Sequence, residues 1–266
     1  MDFSGLGNGP KVYFSIKTPW FSIDISQTAI TILVATVALL LIGFFIGRSI
    51  KKRPGGFQVV VEKLVNMLYG LVEDTMGKHN LKFAPYIGTL FLSSIFCTLL
   101  GMTQILRSAT ADLSVTLAWA LVTTGMVWYN SWKNFGFKAW LKGFTEPIVV
   151  MTPMNIVSEI AQPISLAFRH FGNVAGGSVL TGLIYAALAG ASSALFSLIP
   201  GALGSLLSSI PILQVGIPAV LSIYFDLFSG FVQALVFSLL TMVYVGAACP
   251  PPEELPEKKR KNEKKA

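Results

Sequence analysis

Five long apolar runs constrain the fold of this chain more than any other feature of its sequence. Each run has at least the roughly 20 residues that a helix needs to cross a bilayer, and the runs cover about residues 25–47, 85–106, 113–132, 146–198 and 217–248. Only 12% of the residues are charged, about half of the roughly 25% that is typical of soluble domains. A disordered chain and a soluble globule are both excluded. We expect an all-α integral membrane protein with one polytopic domain over residues 25–249.

The lengths of the runs predict the arrangement of the helices. The first run is a single N-terminal span, and residues 85–106 and 113–132 form a two-helix hairpin. The last two runs, 146–198 and 217–248, are longer than one upright span needs and predict long, tilted helices. In residues 57–75, apolar side chains recur at helical spacing and charged side chains lie at positions between them. This pattern predicts an amphipathic helix on the cytoplasmic membrane surface. A helix that binds a partner protein explains this pattern equally well.

The positions of the charges predict the orientation. Twenty basic and thirteen acidic residues give a net charge of +7, and the basic residues gather in short segments between the apolar runs. The three basic segments are 48–53, 133–142 and the charged, disordered tail 250–266. The positive-inside rule puts all three in the cytoplasm and the N-terminal segment 1–24 outside. This is the charge pattern of a multi-span membrane protein and not of a nucleic-acid binder.

Ionisable and polar residues inside the apolar runs are the candidate functional residues. An ionised side chain at mid-membrane costs about 2.5–3.5 kcal/mol on insertion scales, so each one requires an offsetting role. The residues concerned are Glu159, Arg169, His170, Asp226 and the neutral Gln233.

Arg169 is the most informative of them. Asn173 lies one helical turn later on the same face, and the spacing of Gly172 and Gly176 permits another helix to approach closely. This pattern predicts that Arg169 presents its positive charge to a neighbouring helix. A structural arginine paired with Glu159 or Asp226 is the alternative.

The spacing of the polar residues suggests two separate half-paths. Asp226 and Gln233 are seven residues apart, which is about two turns on nearly one helical face. The predicted orientation puts Asp226 closer to the outside than Gln233, and Glu159 about 15 Å closer to the cytoplasm than Arg169. If Arg169 and Gln233 share a level, a fixed positive charge separates the two half-paths. His170 fits a proton relay and a packed polar residue equally well.

Four stretches resemble subunit a of F-type ATP synthases, in the same order along residues 25–248. Pro163-Ile-Ser-Leu-Ala-Phe-Arg169-His-Phe-Gly-Asn173 resembles the arginine helix of that family, and residues 233–244 resemble its final helix. Residues 110–116 resemble the outer turn of its central hairpin, and residues 69–76 its amphipathic helix. The resemblance implies a stator subunit against which a ring of c subunits turns.

The resemblance also implies roles for individual residues. Arg169 would face the carboxylates of the ring, with Gln233 as its polar partner and Asn173 beside it. Glu159 would line the cytoplasmic half-channel, and Asp112 and Ser114 the outer one. The implied partners are the c ring, b-type peripheral stalk subunits, the remainder of the F1Fo complex and membrane lipid. The implied location is a bacterial plasma membrane, with no cofactor, no metal and no nucleic acid.

Two departures from the family pattern stand out. Ser178 replaces the glutamate that the family usually carries nine residues after the arginine, and His170 stands where leucine is common. Asp226 occupies a position where some members carry histidine. We hypothesise that Asp226 supplies the missing outer carboxylate.

Two other classes of protein remain for comparison. A self-contained ion-coupled secondary transporter often shows paired repeats, and none is visible here. An intramembrane protease needs a nucleophile with a base or two close aspartates; Asp226 is the only aspartate in a predicted span. Cys97 and Cys249 lack a Cys-x-x-Cys spacing and suggest no metal or redox site. The sequence leaves open whether the coupling ion is H⁺ or Na⁺.

Overall fold

The computed structural model describes residues 12–17, 22–103, 106, 108–146, 148–197 and 223–252, and most of these residues are helical. The strands are β1 (Val12–Lys17) and β2 (Ser22–Ser26). The α-helices are α1 (Gln27–Ser49), α2 (Gly56–Met76), α3 (Ala84–Met102), α4 (Leu113–Phe135), α5 (Phe137–Gly143), α6 (Thr152–Ser197) and α7 (Ser229–Ala248). Short 3-10 helices cover Lys78–Phe83, Ala109–Ala111 and Val149–Met151, and a π-helix covers Ile223–Phe228.

Four helical segments in the described part of the chain are long and apolar enough to cross a membrane. They are Gln27–Ser49, Lys78–Met102, Val149–Leu195 and Ser229–Ala248. The helix α4 has 23 residues but is less apolar and is not among them. The helical character of the protein is therefore confirmed, while the five exact spans stay predictions.

The helix ends differ from the expected ones by a few residues. The prediction for 85–106 extended too far, because α3 ends at Met102. The prediction for 146–198 began too early, because a 3-10 turn precedes α6, which starts at Thr152. Pro163 lies inside α6 and does not end it. Residues 198–222 and 253–266, which include the start of the predicted span 217–248 and most of the charged tail, lie outside the described residues.

The chain divides into two compact units, and α1, α3, α6 and α7 each give one part to each unit. Unit 1 comprises Met1–Ala35, Ile95–Asp112 and His170–Gln233. Unit 2 comprises Thr36–Ser94, Leu113–Arg169 and Ala234–Ala266.

Unit 1 contains a feature that we did not predict, an antiparallel hairpin of β1 and β2. It lies in the segment 1–24 and its junction with α1. Outside this hairpin, the core of unit 1 is a small cluster of Ala35, Cys97 and Ala109.

Unit 2 contains the larger packed cores. One core joins α2, α3 and α7 through six buried side chains, namely Val72, Met76, Ala84, Ile87, Met242 and Val245. A second joins α3, α4, α6 and α7 through Leu90, Ala120, Leu166, Ala167 and Phe237. In water, burial of large apolar side chains stabilises a fold by roughly 1.5–3 kcal/mol each. In a bilayer, the stabilisation comes instead from close van der Waals packing between the helices.

The amphipathic helix α2 buries only a narrow stripe. Val72 and Met76 are buried, whereas Phe57, Val60 and Leu64 are largely exposed. An exposed apolar face of this kind is consistent with contact with lipid or with a partner, so both expectations for residues 57–75 remain.

Candidate functional site

A side-chain hydrogen bond joins α6 to α7 in unit 1. Nδ2 of Asn173 donates to Oε1 of Gln233 over 2.8 Å. Gln233 is only 2% exposed, and its Nε2 has no hydrogen-bond partner among the described residues. The pair therefore holds one end of the Gln233 amide and leaves a buried N–H donor for a further acceptor.

Hydroxyl groups cluster near the same part of unit 1. The Ser108 hydroxyl is 2.8 Å from that of Thr110 and donates to the carbonyl of Cys97. The Thr110 hydroxyl is also 3.5 Å from that of Thr98. Gly230, three residues before Gln233, lies directly against Thr98, since a Cβ at position 230 would be 2.5 Å from Cγ2 of Thr98.

Arg169 is the last residue of α6 that belongs to unit 2, and its side chain is exposed. No ion pair among the described residues includes it, so the pairing with Glu159 that we considered does not occur. The reason is distance along the helix, because ten residues of α-helix span about 15 Å. The alternative pairing with Asp226 involves a side chain outside the described residues.

The glycines after Arg169 leave an open surface on α6. Gly172 and Gly176 are exposed, and a Cβ added at either would meet no atom within 4 Å. No helix of the described residues packs against these two glycines.

Glu159 lies in unit 2 beside a polar cavity. Its Oε1 accepts a hydrogen bond of 2.5 Å from the indole Nε1 of Trp128. The cavity has a volume of about 450 Å³. Its polar lining residues are Ser131, Asn155, Ser158, Glu159, Gln162 and Tyr244. A cavity of this size and polarity has room for several water molecules.

The remaining predicted residues occupy different environments. His170 is fully buried, Asp112 is half-buried, and Ser114 and Ser178 are exposed. The Ser178 hydroxyl bonds to the carbonyl of Ala175 in its own helix. This bond lies within α6, and it does not supply the function of the carboxylate that is absent at this position.

Asp226 lies in the π-helix, and its side chain is outside the described residues. The expectation that Asp226 and Gln233 share a face assumed α-helical spacing throughout. That assumption is wrong at this point, because a π-turn contains more residues than an α-turn. π-turns inside α-helices occur frequently at functional sites.

Trp128 is the functional candidate that the sequence analysis missed. Its contact with Glu159 joins residues that are 31 positions apart and lie on different helices. No local pattern signals such a contact. No group of three or more His, Cys, Asp or Glu side chains in the described segments could hold a metal ion.

Comparisons with known proteins identify the family of the chain. The family described as ATP synthase A chain matches residues 29–246. The sodium-ion-specific ATP synthase subunit a of Propionigenium modestum is 30% identical over 270 residues, covering 90% of this chain and 85% of the relative. ATP synthase subunit a of Bacillus subtilis is 31% identical over 225 residues, covering 80% and 88%. That of Moorella thermoacetica is 30% identical over 208 residues, covering 78% and 84%.

Proposed function

Because this chain belongs to the ATP synthase A chain family, we propose that Arg169 is the fixed charge that couples ion flow to rotation of a c ring. At the level of the family, the chain is the ion-translocating stator subunit of an F-type ATP synthase in a bacterial membrane. It is part of the F1Fo complex and has no catalytic activity of its own. The secondary transporter is not favoured.

The observation that carries this proposal is the exposure of Arg169 on a membrane helix. An exposed arginine at mid-membrane costs about 2.5–3.5 kcal/mol on insertion scales, and no carboxylate among the described residues pairs with it. The exposed Gly172 and Gly176 on the same helix allow another helix to come close. A ring of c subunits with carboxylates would cover the face and neutralise the charge.

The proposed half-channels use polar residues that the predicted orientation and the family resemblance assign to opposite sides of Arg169 in the membrane. Glu159 and its polar cavity form the cytoplasmic half-channel. Asp112, Ser114 and Asp226 belong to the outer half-channel, with Asp226 replacing the carboxylate that is absent at Ser178. Gln233 and Asn173 support the arginine. This assignment also puts the N-terminus outside and the C-terminus in the cytoplasm.

Elementary electrostatics explains how this arrangement couples ion flow to rotation of the c ring. At about 4 Å and an effective dielectric constant near 20, Arg169 attracts an ionised ring carboxylate by about 4 kcal/mol. The carboxylate releases its ion into one half-channel and must take up another from the second before it enters lipid. Each elementary charge that crosses 100 mV supplies about 2.3 kcal/mol. We propose the proton as the coupling ion; the name of the Propionigenium relative specifies sodium for that protein.

Cross-linking tests whether the glycine face of α6 meets the ring. Gly172→Cys is introduced after Cys97→Ala and Cys249→Ala remove the native thiols, and a second cysteine is placed beside the ring carboxylate. Oxidation of the assembled complex should link the two chains. The matched control is Ala167→Cys, because Ala167 is fully buried.

The b-type stalk subunits and the c ring should also co-purify with this chain. An assembled complex in which Gly172→Cys gives no more cross-link than Ala167→Cys would contradict the proposed ring-facing surface. Transport by the isolated chain without a ring would favour the secondary transporter.

A further inference from the structure

Glu159 stands in the walls of two cavities of opposite character. The first is the polar cavity of about 450 Å³. The second has a volume of about 350 Å³ and a mostly apolar lining, in which Trp128 and Ile156 line only this cavity and Trp140 and Phe144 line both. A carboxylate exchanges protons readily only where water or polar groups can reach it. The direction in which the Glu159 side chain is held therefore decides whether it can act.

Trp128 is the residue that holds it. The indole N–H is a donor only, and it donates to Oε1 of Glu159 over 2.5 Å. Trp128 belongs to the lining of the apolar cavity and not of the polar one. Its bond thus fixes one carboxylate oxygen at the dry side and leaves the other oxygen for proton exchange.

An aromatic cluster keeps the indole of Trp128 in place. Trp140 of α5 packs edge-to-face against Trp128, with ring centroids 6.3 Å apart, and against Trp132, at 5.4 Å. Phe144 packs on Trp140 at 4.8 Å. Edge-to-face pairs of this kind have a preferred geometry, so the donor has little freedom to turn away from Glu159.

We propose that Trp128 is a positioning residue for ion transfer at Glu159, holding its carboxylate at the boundary of the two cavities with one oxygen directed to the polar cavity. This inference rests on the proposed role of Glu159 in the cytoplasmic half-channel. The aromatic cluster of Trp128, Trp132, Trp140 and Phe144 supports the indole and keeps the neighbouring cavity apolar.

The test removes the indole donor and keeps its shape. Trp128 is replaced by 3-benzothienylalanine, in which sulfur stands in place of the N–H, and in parallel Trp128→Phe is made. ATP-driven proton pumping is measured in inverted vesicles carrying the assembled complex. We expect pumping to fall about tenfold with both replacements, since a hydrogen bond to a charged group is lost. Tyr129→Phe is the matched control, because Tyr129 is the next residue of α4, is exposed and lines neither cavity.

A double-mutant cycle separates positioning from a general structural role. In a Glu159→Gln background, the 3-benzothienylalanine replacement should cause no further loss of pumping, because the residue it positions is gone. Additive losses, or unchanged pumping with the replacement alone, would overturn the inference while leaving the role of Glu159 intact. Unchanged pumping with Glu159→Gln would overturn both.

Discussion

Asn173 of α6 and Gln233 of α7 are joined by a hydrogen bond of 2.8 Å between their side-chain amides. The bond occupies Oε1 of Gln233 and leaves its buried Nε2 without a partner in the described part of the chain. A buried amide donor that is held from its other end is suited to bind an acceptor such as a carboxylate. This relationship lies one helical turn after Arg169 along α6.

Removal of the Asn173 amide should impair the subunit through Gln233. Asn173→Ala leaves the Gln233 oxygen buried without its donor, at a cost of about 1–3 kcal/mol. We expect ATP-driven pumping to fall about tenfold in vesicles with normal amounts of assembled complex. Ser193→Ala is the control, because that hydroxyl lies on the same helix and, in the described part of the chain, donates to the carbonyl of Gly190. Equal pumping by both variants would show that the bond to Gln233 has no functional effect.

Asp226 should be the carboxylate that compensates for Ser178. Asp226→Asn keeps the size of the side chain and removes its ability to exchange a proton, so pumping should fall by at least about tenfold. The sharper test adds Ser178→Glu to Asp226→Asn, which returns a carboxylate to the usual position of the family. Recovery of pumping in the double variant would support the proposal that the carboxylate of Asp226 replaces the one that the family usually carries at position 178. Full pumping by Asp226→Asn alone would contradict it.

The close approach of α7 to α3 should depend on Gly230. A Cβ at this position would be 2.5 Å from Cγ2 of Thr98, so Gly230→Ala should destabilise the subunit by about 1–3 kcal/mol through overpacking. Thr98→Ser removes the methyl group that causes the clash and keeps the hydroxyl, and it should restore stability. The thermal stability of the purified complex measures both effects.

The control for this pair is Gly125→Ala, because no atom lies within 4 Å of a Cβ at that position. Alanine favours the helix there by roughly 0.5–1 kcal/mol, so stability should be unchanged or higher. A loss of stability with Gly230→Ala that Thr98→Ser fails to reduce would show that another contact is responsible.

The sequence predicted the helical membrane fold because apolar runs leave a chain few alternatives in a bilayer. It failed where local structure departs from regular spacing. The π-helix at Ile223–Phe228 interrupts regular α-helical spacing between Asp226 and Gln233, and the sequence analysis found no signal for it. The strand β2, in contrast, carries a signal that we did not use, since Ile23 and Ile25 alternate with Ser22, Asp24 and Ser26.

The candidate site was predictable in part. Arg169 and Glu159 stand out as charges within apolar runs, and Gln233 stands out as a polar residue on the last one. Their partners do not, because the bond of Glu159 to Trp128 and that of Asn173 to Gln233 join residues 31 and 60 positions apart. Such contacts depend on how the helices pack, which spacing within one helix cannot specify. For Asn173, both the four-residue spacing and the resemblance to a family indicated a place beside the arginine, but neither indicated the bond to Gln233.

The most direct test of the account is the behaviour of Arg169→Ala in inverted vesicles that contain the assembled complex. ATP-driven proton uptake and passive proton leak are measured on the same vesicles. Both values are normalised to the amount of complex, which is determined from its ATPase activity. We expect pumping to be lost and leak to increase, because the positive charge no longer separates the two half-channels. Normal coupled pumping with no added leak would contradict the central claim that Arg169 couples ion flow to rotation.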